Sequence, residues 1–341
     1  MGIGHKKISR RALLGAAAGA VVSAPYIARA NNAEVLGQGD FRYRQVPGWG
    51  QLGAEAPVKN CNGIVCTRDQ HIVLLTDDTR NNVIVYDRAG KLVHKWGSTM
   101  KGAHGLSIVQ EGQKEFLFIA DNALGRVHKT TLDGTTLEEW EPPPYPQQYP
   151  KAGKGYRPSW TLHHQDGSFY VLDGYGRDYI SKYDVAGKPV AIFGGQEGGI
   201  AHWGPHGGIV DGDTLLIAMS DQQYVLRLSL EGEKLARYPF PGGNPRQLRR
   251  FGDHYVMPHL SDNWPKQRSR PGYVSILDRE LRIVSNIGGS APEYGAAGLA
   301  KMRAVSEIFV HPHDAVADAD GSLYVAQALS GNTYPIKLER V

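Results

Sequence analysis

Between residues 62 and 97 four short runs follow one another: Gly63-Ile-Val-Cys66, His71-Ile-Val-Leu-Leu75, Asn82-Val-Ile-Val-Tyr86 and Gly90-Lys-Leu-Val-His-Lys-Trp96. Turn residues separate them, which is the pattern of short strands joined by tight connections. The phrase recurs. A second copy begins at His104, with Phe116-Leu-Phe-Ile-Ala120 as its second strand. A third begins near Ser159 (Ser168-Phe-Tyr-Val-Leu172) and a fourth at His206 (Thr214-Leu-Leu-Ile-Ala218). A fifth begins near Gln247 (His254-Tyr-Val-Met257) and a sixth at His313 (Ser322-Leu-Tyr-Val-Ala326). Units of roughly 40–65 residues, each long enough for about four strands, are the signature of a β-propeller. The expected fold is therefore all-β: a six-bladed β-propeller with four-stranded blades. The last unit ends one strand short, and Phe41-Arg-Tyr-Arg-Gln-Val46 is expected to supply that outer strand and close the ring from the N-terminus. A pair of β-sandwiches is the rival architecture, but six copies in one internal order favour a ring.

Composition agrees. Glycine makes up 42 of 341 residues, well above the usual ~7%, as many turns require. A hydrophobic content of 41% excludes a disordered chain, and two cysteines exclude a disulfide scaffold. Cys61 and Cys66 stand at the two ends of one expected strand, ~16 Å apart, beyond disulfide reach. Two thiols are expected.

The net charge of +4 comes from the first 30 residues. They hold Lys6, Lys7, Arg10, Arg11 and Arg29 and no acid; without them 33 basic side chains face 34 acidic ones, a net charge of −1. The remainder has no electrostatic footprint for nucleic acid. A basic start, an apolar Ala/Gly-rich stretch from Ala12 to Val22 and the small-residue site Ala28-Arg29-Ala30 read as an export signal. Ser9-Arg-Arg-Ala-Leu-Leu14 is similar to a twin-arginine motif. Residues 1–30 are thus expected to be a twin-arginine signal peptide and residues 31–341 one propeller domain, periplasmic or secreted. The apolar stretch is too short for a membrane span, and no later one is long enough.

Aligned at the start of their innermost strands, the six units place Asn62, His104, Ser159, His206, Gln247 and His313 at one position. Histidine occupies every second unit. In a six-bladed ring alternate blades lie ~120° apart, so three side chains at one level can converge on the axis. Three neutral imidazoles with an open coordination position make a catalytic zinc site, although iron or manganese suits the same donors. Strands alternate in direction, so the loops holding Arg80 and Tyr175 open on the same face. The long insertions 142–156, 258–271 and 289–311 open there too. A walled cleft over the metal follows.

His104-Gly-Leu, Pro205-His206 and Pro312-His313-Asp314, with Asp173-Gly-Tyr175, resemble the peptidyl-α-hydroxyglycine α-amidating lyases, six-bladed propellers of the NHL-repeat type. The resemblance spans residues 57–338 and is weak outside these motifs. It implies zinc on His104, His206 and His313, Tyr175 as the catalytic tyrosine, and Arg80 as a carboxylate-gripping arginine. It also implies a structural calcium on Asp314 with the main-chain carbonyls of Ile64 and Leu106. The implied reaction cleaves an N–C bond at a hydroxylated carbon, giving an amide and an aldehyde acid. Two positions depart from the family. His311 replaces a methionine and becomes a polar wall or proton carrier, and Gln222 stands where the family has a second arginine. His311 and His313 are ~6.6 Å apart along a strand, too far to share one ion. The expected partner is a small-molecule or peptide-like substrate, with no nucleic acid and no membrane span, and the chain is expected to be a monomer. Two other readings stay open. One is a non-catalytic NHL-type binding propeller with a structural metal. The other is a different metal-dependent reaction on the same ring, such as lactone hydrolysis or elimination as in streptogramin lyase-like propellers.

Overall fold

The computed structural model describes residues 1–2, 34–150, 155–202, 204–264, 266–267, 269 and 271–341. All but the first two residues of the expected signal peptide lie outside this set, as does the expected mature start at Asn31. From residue 34 onward the described chain forms six antiparallel sheets in a ring.

Blade one is Cys61–Cys66, Ile72–Thr76, Val83–Tyr86 and Leu92–Trp96. Blade two is Ala103–Glu111, Lys114–Asp121, Arg126–Thr131 and Thr136–Trp140. Blade three is Trp160–His163, Phe169–Leu172, Tyr179–Tyr183 and Pro189–Gly194. Blade four is Pro205–Asp211, Thr214–Met219, Tyr224–Ser229 and Lys234–Pro239. Blade five is Arg249–Phe251, His254–His259, Tyr273–Leu277 and Ile283–Ile287. Blade six takes Pro312–Ala317, Leu323–Gln327 and Ile336–Arg340 from the C-terminus.

Its fourth strand is Phe41–Val46, paired antiparallel with Ile336–Arg340 in the register Tyr43↔Arg340 to Val46↔Lys337. The expected closure is therefore present. A fifth strand, Leu36–Gln38, lies outside it. The Gln38 side chain accepts the Asn286 N–H at 2.7 Å, tying blade six to blade five. The short hairpin Tyr294–Gly295 and Gly298–Leu299 lies in the connection between these blades. Among the described residues no helix is long and apolar enough to cross a membrane.

The apolar residues of each inner and middle strand meet those of the next blade. Val65, Val73, Leu106 and Leu117 join blades one and two; Leu162, Tyr170, Leu215 and Ile217 join three and four. Ile64, Leu74, Tyr324 and Ala326 close the circle between blades six and one. An aromatic at the end of an outer strand locks onto a turn of the following blade. The Trp96 indole N–H donates to the Leu132 carbonyl at 3.0 Å, and its ring covers Gly134, where a Cβ would overlap it. Trp140 repeats this on Gly187, donating to its carbonyl at 2.9 Å. Cys61 and Cys66 are both free thiols.

Candidate metal centre

Each innermost strand of the even blades carries an irregularity at its histidine. Pairing shifts between Ala103 and Gly105, between Pro205 and Gly207, and between Pro312 and Asp314. The residue inside each shift is His104, His206 or His313. A bulge sets two residues against one partner and re-aims a side chain, here toward the axis. Glycine after the histidine has a steric cause. A Cβ at Gly105 would overlap the Ser159 carbonyl, and one at Gly207 would overlap the Arg246 carbonyl and the Gln247 side chain.

The three imidazoles form a nearly equilateral group, with ring centroids 4.9, 4.7 and 4.7 Å apart. Their ligand atoms lie within 4.8 Å of one another, and all three residues are buried. Each Nδ1 donates to a carbonyl of the next blade: His104 to Ser159 at 2.9 Å, His206 to Arg246 at 3.1 Å, His313 to Asn62 at 2.6 Å. These bonds fix the tautomer and leave every Nε2 lone pair facing inward, the backbone equivalent of the second coordination shell of metal-binding histidines. Burial pushes the His104 pKa down to about 3 and holds His206 and His313 far below the usual range, with Arg246 adding its charge. All three are neutral near pH 7.

Tyr175 reaches into this group. Its hydroxyl lies 3.0 Å from His104 Nε2 and 3.1 Å from His206 Nε2. One O–H proton therefore stands between two acceptors, and no described donor reaches the third Nε2. Lone pairs outnumber protons, so this donor set fits a cation.

The Asp173-Gly-Tyr175 loop is built for this placement. The Asp173 carboxylate accepts the N–H groups of Arg157 at 2.6 Å and Arg177 at 2.8 Å and the Tyr149 hydroxyl at 2.9 Å. Burial nevertheless pushes its pKa up to about 7. A Cβ at Gly174 would overlap the Pro205 carbonyl, so only glycine lets the loop approach blade four. Burial raises the Tyr175 pKa, and the nearby Arg246 charge opposes that rise.

Above the histidines lies a cleft of about 340 Å³, lined among others by Lys101, Asn122, Arg157, Asp221, Arg246 and Trp264. Arg246 is the blade-five counterpart of the histidines, because its carbonyl receives His206 as Ser159 receives His104. The sequence alignment placed Gln247 there, one residue late. Pro245-Arg246 repeats Pro205-His206 and Pro312-His313, and that signal was available. The Arg246 side chain is buried, and its Nε has no hydrogen-bond partner. Beneath the histidines the Trp160 ring forms a floor, 6.0, 6.3 and 6.2 Å from the three imidazole centroids.

Other expected residues sit elsewhere. Arg80 is exposed and pairs with Asp78 in its own loop, outside the cleft lining. His311 Nδ1 donates to the Leu329 carbonyl, 3.0 Å away, and its ring packs on Trp264, behind the cleft wall. Gln222 bonds the His202 carbonyl. The residues implied for calcium do come together, but with a cation of the chain's own among them. Arg249 Nη2 donates to both Asp314 and the Leu106 carbonyl, and Ile64 offers the carboxylate its N–H. This set as it stands does not fit a calcium ion.

No family model and no curated protein matches the sequence. Solved structures do. A streptogramin B lyase aligns with a TM-score of 0.58 at 14% identity, over 88% of this chain and 97% of its own. Virginiamycin B lyase from Staphylococcus aureus aligns at 0.55 and 12% identity, over 90% and 100%. A glucose dehydrogenase-type oxidoreductase from a Thermus species aligns at 0.55 and 13%, over 87% and 100%. At such identities the likeness is one of fold: the chain is a β-propeller whose axis carries three histidines able to hold a metal ion.

Proposed function

We propose that the protein is a metal-dependent lyase that cleaves a C–N bond at a hydroxylated carbon bearing a carboxylate, the chemistry its motifs resemble. The observation that carries this reading is the Tyr175 hydroxyl, 3.0 and 3.1 Å from two of three Nε2 atoms that share one centre. His104, His206 and His313 would hold a zinc-class ion, which when bound supplies Lewis acidity that lowers the pKa of a hydroxyl beside it.

The chain's own residues do the rest. Arg246 meets the substrate carboxylate with its guanidinium fork. Tyr175, whose raised pKa keeps its hydroxyl protonated, delivers that proton to the leaving nitrogen and takes up the one that leaves the substrate hydroxyl. As the C–O bond becomes a carbonyl, the C–N bond breaks, and the products are an amide and an aldehyde acid. Trp160 closes the floor against water. Export through the twin-arginine signal would place this activity in the periplasm or outside the cell.

The test joins metal content by mass spectrometry to an assay for glyoxylate release from an α-hydroxyglycine compound. A bound zinc-class ion with glyoxylate release supports the reading. A metal-loaded protein that releases none rejects the reaction, and a protein that takes up no such ion rejects the site.

A further inference from the structure

Below Trp160 the axis holds a second polar cluster that the proposed reaction does not use. Asp314 of blade six is fully buried. Its carboxylate accepts the Ile64 N–H of blade one and the Ala315 N–H, each at 2.8 Å. Arg249 of blade five grips both oxygens, Nε to Oδ1 at 2.8 Å and Nη2 to Oδ2 at 2.6 Å. The same Nη2 donates to the Leu106 carbonyl of blade two at 2.8 Å. The Trp160 ring of blade three lies 5.8 Å from the guanidinium carbon. Blades one, two, three, five and six thus meet around one guanidinium.

The local charges balance: one carboxylate faces one cation. The pair is the two-pronged kind in which an arginine fork matches a carboxylate. A divalent ion here would need the carboxylate oxygens and the Leu106 carbonyl that Arg249 already occupies, and it would sit beside a fixed positive charge.

We propose that Arg249 is the resident cation of the ring axis. Its guanidinium ties the inner strands together where the resemblance assigns a calcium ion. The Asp314 and Leu106 oxygens become a divalent-cation site only when that side chain is removed. This holds whatever reaction the histidines support.

The experiment measures calcium by mass spectrometry after exchange into calcium-free buffer, then follows the melting temperature with millimolar calcium chloride. Calcium prefers oxygen donors and does not address the imidazoles. The wild-type protein is expected to retain no calcium and to melt at the same temperature with or without it. Arg249→Ala is expected to melt about 5–15 °C lower, because Asp314 loses its partner, and to recover several degrees with calcium. One retained calcium per wild-type chain, or wild-type melting that rises with calcium, would overturn the proposal. So would a folded Arg249→Ala protein that gains nothing from the ion. Should Arg249→Ala not fold, the wild-type measurements decide, joined by Arg249→Lys. Its single ammonium keeps the charge, and it should melt below wild type with no response to calcium.

Discussion

Replacing Arg246 with methionine should separate stability from function. The side chain is 7% exposed, its Nε has no partner, and Asp221 acts on it only through space. A buried cation without a close counter-ion lowers stability, and an apolar side chain of similar length relieves that strain by about 1–3 kcal/mol. The cation–π contact with Trp264, 5.8 Å from its ring, is worth only about 0.5–1 kcal/mol, so relief wins. Arg246→Met should therefore melt about 2–8 °C higher than wild type. The backbone carbonyl that holds His206 is untouched by the exchange. Each lost charge-assisted bond to a substrate carboxylate removes about 1.5–3 kcal/mol, so losing the fork should lower kcat/KM by at least about 10- to 150-fold. Calorimetry and steady-state kinetics read both effects. An amide analogue lacking the carboxylate should be turned over equally by the two proteins. A lower melting temperature with unchanged kcat/KM would make Arg246 a structural brace and refute the reasoning.

Tyr175→Phe should keep the metal, measured by mass spectrometry, and lower kcat by about 10²- to 10⁴-fold, the usual worth of a positioned proton relay. Gly174→Ala forces the loop off the Pro205 carbonyl and displaces Tyr175. Turnover should fall by about 10²-fold, with a lowered melting temperature. Burial holds the pKa values of His104, His163 and His259 down at about 3 in the folded chain, against 6.5 unfolded. The unfolded chain then binds more protons, so metal-free protein should lose stability as pH falls from about 6.5 toward 3. Asp173, raised to about 7, and Asp314, also raised by burial, work in the opposite sense, but His206 and His313 are held down as well, so two groups stand against five. Urea midpoints between pH 7 and 4 check this, and a midpoint constant over that range would contradict it.

The blades were legible because short, continuous apolar runs between turns repeat six times and leave little choice of fold. The histidines were legible because the bulge that aims them falls at one position of the repeat, marked by glycine after His104 and His206. Arg246 was missed because the frame was set one residue late, on Gln247, although Pro245 marks the position. Leu36–Gln38 is three residues long with Gly37 at its centre, too short for any periodicity. Side-chain direction in loops was not legible. Arg80 shares the expected face, yet the adjacent Asp78 captures its guanidinium. Arg249 and Asp314 are 65 residues apart in sequence, and only the packing of blade six against blade five makes them partners.

Metal stoichiometry of the wild-type protein beside His206→Ala tests the three-histidine centre most directly. One zinc-class ion per wild-type chain, surviving exchange into metal-free buffer, and loss of that ion in His206→Ala is the expected result. Equal metal content in the two proteins, or none in wild type after incubation with zinc, would contradict it.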